Sequence, residues 1–436
     1  MGTLPSPCCP QRTFSLRFKI RGQGGGACGS RDTIMGGENM DRSIGRFFSL
    51  FICCLSFTAP VRAEKTNLSI DLKALEKTRI LTKAKVYLLE KPRTVTADVC
   101  ERSGGDRHDF YSEGDYWWPD PENPGGRYIR RDGETNPANF IAHRKSMIRL
   151  SDLIGTLVSA YLITAEEKYA GHAALHLKAW FVEEKTKMRP SLLYGQAIQG
   201  RYSGRSIGII DTLHLVEVAR GAKILCLSPS FKARDQKAVR NWFSEYLNWI
   251  NTHEYGLKEK MHPNNHGVCW SLQASAFADF TGHEEILDWV RTQFKTVYLA
   301  SMMDENGGFP AELKRTKPYG YSLFMIDAMA GVAQIVSNQQ EDLWQFVSPE
   351  GRSMKKGMEF IFPFIDEKGK WPYPQDVMYW NEWPVRHPSL LFSGLRLKKK
   401  SYLETWKKLE PDPQTYEVLR NLPLRHPLLW VSHSGV

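Results

Sequence analysis

The chain has 436 residues, of which 42% are hydrophobic and 12% aromatic, and a formal net charge of +10. That length and apolar share fill one large domain or two ordinary ones and exclude a disordered chain. The charge first suggests nucleic acid, but much of the excess sits at the N-terminus. Residues 1–39 are rich in Gly, Arg and Cys without periodicity, and Met40 is followed by Arg42 and Arg46, the apolar run 47–57 and then Ala63. Basic, then apolar, then small is the order of a secretory signal, which predicts a start at Met40 and cleavage after Ala63. The apolar run is too short for a spanning helix, which needs about twenty residues. Removing 1–63 takes away eight Lys/Arg, three Asp/Glu and five cysteines, leaving a net charge of +5. Nucleic-acid binding loses its support. Cys100, Cys226 and Cys269 are too widely spaced for a disulfide framework or a metal site. The expectation is a secreted or periplasmic protein with one domain over 64–436, no metal or other cofactor, and no membrane association after cleavage.

From residue 64 onward the periodicity is helical. Helices are predicted over 69–82, 138–162, 165–183, 211–227, 231–250, 267–280, 284–302, 321–337, 353–364 and 386–396, and few runs alternate with period two. Medium helices paired by Gly/Pro/Asn loops, with neither a βαβ rhythm nor a short repeat, predict an all-α fold of antiparallel helix hairpins. At this length its closed form is an α/α toroid. Two loops between the helices carry chemistry. The loop 112–126 holds Tyr116, Trp117 and Trp118 between Gly and Pro, where three successive rings cannot share one helical face. The loop 194–205 supplies Gln196, Tyr202 and Arg205, a set of amide, phenol and guanidinium groups whose fork geometry grips carboxylates.

The strongest constellation comes later. The stretch His262-Pro263-Asn264-Asn265-His266-Gly267 enters the helix predicted from 267, with Asn264 or Asn265 as N-cap and His266 at the positive end of the helix dipole, which disfavours imidazolium. Some fifty residues on, Arg315 precedes Tyr319 and Tyr321 across a Pro/Gly bend. A cation beside a phenol favours phenolate and hence a base. An amide, an imidazole, a guanidinium and a phenol suit removal of a proton next to a carboxylate, a reaction that needs donors for the carboxylate and a base close by. A capped helix start explains the first stretch equally well, and spacing does not choose between Tyr319 and Tyr321.

Four motifs in order bear a resemblance: Tyr-Trp-Trp-Pro-Asp-Pro at 116–121, Gly-Ile-Ile-Asp-Thr at 208–212, Asn-Asn-His-Gly at 264–267 and Glu-Leu-Lys-Arg-Thr-Lys-Pro-Tyr-Gly-Tyr-Ser at 312–322. From about 90 to 395 the chain resembles the alginate lyase family of polysaccharide lyases, including its glucuronan-cleaving relatives. The resemblance implies an α/α toroid, an acidic polysaccharide as substrate, β-elimination without an obligatory metal, and an extracellular or periplasmic setting. It places the family's Asn-His pair on Asn265 and His266, its arginine on Arg315 and its catalytic tyrosine on Tyr321. The loop residues themselves make Trp117, Trp118, Gln196, Tyr202, Arg205 and Tyr319 the expected substrate-binding set. The Pro-Tyr-Gly-Tyr run looks more like the glucuronan-cleaving branch, and alginate and glucuronan both stand as substrates. Where the C5 hydrogen and C4 oxygen lie on one face of the sugar, Tyr321 would serve as both base and acid. On opposite faces, as in guluronate, His266 would be the base and Tyr321 the acid.

Two other classes compete. A glycoside hydrolase on the same toroid would recruit a carboxyl pair from Asp304, Glu305, Glu312 and Asp376. A non-catalytic polysaccharide-binding protein would use the aromatic loops and leave the phenol idle.

Overall fold

The computed structural model describes residues 70–431, so the leader assigned to 1–63 lies outside the described residues. These residues fall within one compact unit, Thr66–Val436.

Fourteen α-helices are seen among the described residues: α1 (Leu72–Tyr87), α2 (Ala142–Thr164), α3 (Glu167–Phe181), α4 (Leu215–Leu225), α5 (Ala233–Thr252), α6 (Glu254–Lys260), α7 (Asn265–Thr281), α8 (Glu284–Gln293), α9 (Pro310–Leu313), α10 (Pro318–Val336), α11 (Met354–Asp366), α12 (Pro388–Arg396), α13 (Lys400–Lys408) and α14 (Tyr416–Arg420). They form two layers. In the inner layer α2 packs on α4, α4 on α7, α7 on α10 and α10 on α12. Outside it, α1 and α3 pack on α2, α5 and α8 on α7, α11 on α10, and α13 on α12. This is an α/α toroid.

The layering follows from burial. In α10, 17 of 19 residues are buried, against 6 of 20 in α5. A helix apolar on every side must lie inside the fold, whereas one with a single apolar stripe covers it. By length and composition α2 and α10 could each cross a bilayer, but 72% and 89% of their apolar windows are buried within the fold. Much of the aromatic content is also spent inside. Phe181, Trp242, Phe243, Tyr246 and Phe277 interlock between α3, α5 and α7 at centroid separations of 4.6–5.8 Å.

Four short strands tie the loops to this frame. β1 (Tyr111–Glu113) pairs in parallel with β4 (Tyr194–Ala197), and β2 (Trp117–Trp118) pairs antiparallel with β3 (Ile129–Arg130). The aromatic loop and the 194–205 loop are therefore neighbours.

The ten predicted helices are present with shifted ends. The largest difference at a functional position is α10, which starts at Pro318 instead of 321. Its first N–H groups, on Tyr319 and Gly320, are capped by the Asp376 carboxylate at 2.9 Å each, a partner more than fifty residues away. The run predicted from 211 opens instead as a 3-10 turn, Ser206–Thr212, before α4. The run predicted over 284–302 changes to π-helical geometry at Phe294–Met302. Helices α6, α9, α13 and α14 are additional to the predicted set.

Candidate functional site

The N-termini of α7 and α10 open onto one cleft of about 350 Å³. Its lining includes Asn265, His266, Arg315, Tyr321, Trp117, Gln196 and Arg205. Seven of the ten predicted site residues are thus brought together from four separate stretches of chain.

The α7 end is built by its cap. Asn264 accepts the backbone N–H of His266 at 3.0 Å, which fixes the first turn. Gly267 is required by close approach, because a Cβ there would lie 2.3 Å from the carbonyl oxygen of His262. Two buried carboxylates lie behind the pair. Glu312 accepts from the backbone N–H of Asn265 at 2.9 Å and from its side-chain amide at 2.7 Å. Glu259 lies 2.6 Å from Nδ1 of His266. Burial raises the Glu312 pKa, and the Asn265 donors work against that shift.

The α10 end supplies the phenol. Arg315 donates to Asp132 at 2.9 and 3.2 Å, and its Nη2 lies 3.2 Å from the Tyr321 hydroxyl. Its guanidinium carbon stands 4.3 Å from the Tyr321 ring centroid. Asp132 follows β3, so the β2–β3 hairpin holds the arginine in place. Tyr116 meets Tyr321 hydroxyl to hydroxyl at 2.8 Å. Lys317 lies 4.8 Å from the Tyr116 ring centroid and 5.8 Å from that of Tyr321, with its ammonium bonded to Glu417.

The predicted effect of the cations on Tyr321 is corrected. Burial first, then Tyr116, push the Tyr321 pKa well above the ordinary phenol value, and Lys317 and Arg315 offset only part of that. The net direction favours the protonated phenol.

Beneath the cleft runs an alternating charge network. Arg144 donates to Asp115 at 2.8 and 2.9 Å and to Asp211 at 2.7 Å, and Arg420 pairs with Asp115 at 3.1 Å. Ser112 and Gln196 also donate to Asp211, at 2.5 and 3.0 Å. Asp211 belongs to the Gly-Ile-Ile-Asp-Thr motif, and its task here is to lock the loops that wall the cleft.

Arg205 stands apart from that network. It donates to the backbone and side-chain oxygens of Gln196, at 2.9 and 3.0 Å, and no carboxylate lies within ion-pair distance of it among the described residues. Burial lowers its pKa to about 10. A half-buried guanidinium facing a cleft without its own counter-ion favours an anionic ligand. Trp117 lies between Arg205 and Arg201, 5.9 and 5.3 Å from its ring.

Three predicted binding residues lie elsewhere. Tyr319 is fully buried, donates its hydroxyl to the Phe364 carbonyl at 3.0 Å and packs on Trp371 and Trp380. The reason is geometric: with α10 starting at Pro318, residues 319 and 321 are about 200° apart around the helix. Trp118 donates to the Glu134 carbonyl at 3.0 Å and stacks with Arg131. Tyr202 is 58% exposed and lines a separate depression beside Arg201.

Sequence reasoning missed Tyr116, Lys317, Arg130, His262 and Arg420 at or beside the cleft. Tyr116 and Lys317 sat inside quoted motifs and could have been singled out. Arg420 and its neighbour Glu417 lie on α14, a five-residue helix without a periodic signal. Of the four carboxyls proposed for a hydrolase, three are occupied in structural roles, Glu312 on Asn265, Asp376 at the α10 start and Asp304 on the N–H groups of Asn306 and Gly308, and Glu305 is exposed outside the cleft lining. Among the described residues lining the cleft the single carboxylate is Asp115, committed to Arg144 and Arg420.

Comparison with known proteins bears on this site. The sequence model of the family described as alginate lyase matches residues 94–371. No curated protein sequence matches the chain. Among solved structures, an alginate lyase from Bacteroides ovatus is similar, at 29% identity and a TM-score of 0.72 over 82% of this chain and 93% of that one. The apo form of a variant of alginate lyase A1-III, the enzyme from Sphingomonas species A1, superposes with a TM-score of 0.52 at 15% identity, over 84% of this chain and 95% of that one. At that identity the likeness is one of fold.

Proposed function

The chain belongs to the alginate lyase family and is a polysaccharide lyase, and from that premise we propose that it is an exported enzyme that cleaves polymannuronate or glucuronan by β-elimination. In this reading residues 64–436 form a single catalytic domain released by cleavage after Ala63.

The mechanism starts at the C6 carboxylate of the sugar in the +1 subsite. Asn265, Arg315 and His266 bind it, and Arg205 with Gln196 holds the neighbouring uronate. Neutralising the carboxylate acidifies the C5 proton, because charge that develops on the enolate-like intermediate meets preorganised donors. The Tyr321 phenolate takes the C5 proton. The C4–O bond then breaks as the electron pair forms the C4–C5 double bond, and the same tyrosine returns the proton to the departing oxygen. The tyrosine ends as it began, and the new chain end is a 4,5-unsaturated uronate. Both polymers present the two reacting groups on one face of the ring, which is why a single phenol suffices.

One observation carries this reading. The Tyr321 hydroxyl lies within 3.2 Å of the Arg315 guanidinium and shares a cleft with Asn265 and His266, although these residues are as many as 56 positions apart.

The test is incubation of the mature protein with polymannuronate, glucuronan and polyguluronate separately, following the ultraviolet absorbance of the unsaturated product. The expected result is a rise on polymannuronate or glucuronan, cut by about 10³-fold in Tyr321→Phe with little change in KM, the scale of a lost acid–base group. A rise on polyguluronate alone would move the base to His266. Release of reducing sugar without that absorbance would overturn the proposal.

A further inference from the structure

The structure leaves one buried carboxylate beside the cleft with an unexplained duty. Glu259 is on α6, and its side chain is 1% exposed. One oxygen, Oε1, lies 2.6 Å from Nδ1 of His266. The other, Oε2, is buried with no hydrogen-bond partner among the described residues. Glu259 is absent from the cleft lining, whereas His266 is part of it.

The chemistry of that contact is restrictive. A carboxylate shut away from water with a single partner is tolerated only if that partner donates a hydrogen bond to it. Nδ1 of His266 therefore carries a proton and donates it in a hydrogen bond to Glu259. Nε2 is then the ring nitrogen left for the cleft, and the plane of the imidazole is set by a carboxylate outside the cleft lining. Glu312 does the equivalent for Asn265 by gripping both its backbone N–H and its amide. The two cleft-facing residues of the Asn-His pair are thus each held from behind by a buried acid.

We propose that Glu259 is a positioning residue for the elimination: by holding the Nδ1–H of His266 it fixes the tautomer and delivers Nε2 to the substrate. The proposal rests on the lyase reading given above. It accounts for a charged side chain buried at that point in α6, a helix whose sequence shows no other reason to place an acid inside the fold.

Glu259→Gln is nearly isosteric but can present an amide N–H to the imidazole and so reverse the tautomer. The expected result is a fall in kcat of about 10- to 100-fold, the scale known for removing the carboxylate behind a metal-ligating histidine, with KM changed far less. The double variant Glu259→Gln with His266→Ala should be no slower than His266→Ala alone, because groups that act as one unit are not additive. Proton NMR of the unaltered enzyme should show a strongly downfield imidazole N–H resonance that disappears in both single variants. Wild-type cleavage with an unimpaired Glu259→Gln, multiplicative losses in the double variant, or no such resonance would each overturn the proposal. Absence of wild-type cleavage on every uronate polymer would overturn the lyase reading itself, and the resonance would then report on the contact alone.

Discussion

At the level of single residues, Tyr321 shows how two opposing effects are decided by magnitude. Arg315 and Lys317 both stabilise a phenolate, which by itself would make Tyr321 a ready base. Burial and the Tyr116 hydroxyl outweigh them, so the resting phenol is protonated. The sign of the resulting pH dependence follows. The form that accepts the C5 proton is the phenolate, a minority species at neutral pH whose share grows as pH rises toward the elevated pKa. Measured as kcat/KM against pH, activity should climb through the range from about 7 to about 9. A histidine base would give a profile already level above its ordinary value of about 6.5. A plateau from about pH 7 upward would therefore exclude Tyr321 as the proton acceptor. Tyr319 illustrates a different limit. Sequence spacing places it beside the arginine as well as it places Tyr321, and the start of α10 alone decides which ring meets the cleft.

Among the elements, the C-terminal segment has the most demanding task. The inner helices do not close on themselves by helix pairing alone, and the turn Pro427–Leu429 packs back onto α1, α2 and α4. Its anchor is Glu217 on α4, wholly buried, which accepts from the backbone N–H groups of Arg425 and His426 at 2.8 and 2.9 Å, from Nδ1 of His426 at 2.6 Å and from the Trp430 indole at 2.9 Å. One carboxylate thus satisfies four donors on a segment more than two hundred residues away. Glu217→Gln removes the charge and turns two hydrogens toward donors. The expected loss is about 3–5 kcal/mol, the cost of breaking a buried charged contact. Denaturant unfolding should register it, and limited proteolysis should show earlier cutting within 409–431. A change below about 1 kcal/mol would mean that packing of Trp430 and its neighbours holds the segment without the acid.

Over the molecule as a whole, the buried charges set the response to acid. Burial alone would raise the carboxyls of Asp115, Asp152, Glu217 and Glu417, but Arg144, Arg425, His426 and Lys317 beside them hold all four below the usual range. A carboxyl with a lowered folded pKa contributes stability that is present above its unfolded value of about 4 and lost as pH falls through the folded one. Glu312 and Asp376 act in the opposite sense, because burial raises them, and they take stability away as pH rises. The four lowered groups each join separate parts of the chain and dominate. Calorimetry should find Tm nearly constant from pH 7 to about 5 and falling steeply below about 4. A Tm that held or rose below that point would show that the raised pair governs instead.

The amino-acid pattern by itself determined the helical architecture, since the 3.6-residue spacing of apolar side chains in α3 and α5 is a local property that packing later uses. It also brought out Asn265, His266, Arg315 and Tyr321, because motif order survives in the chain where distance does not. Tertiary structure alone decided the rest. The start of α10 depends on Asp376, the burial of Tyr319 depends on that start, and Arg420, Glu417 and Glu259 acquire meaning only when α6 and α14 are folded against the cleft. A sequence records what each residue can donate, accept or bury. Which partner lies within 3 Å, and whether water is excluded from the pair, is settled by chain segments hundreds of residues apart arriving at one place.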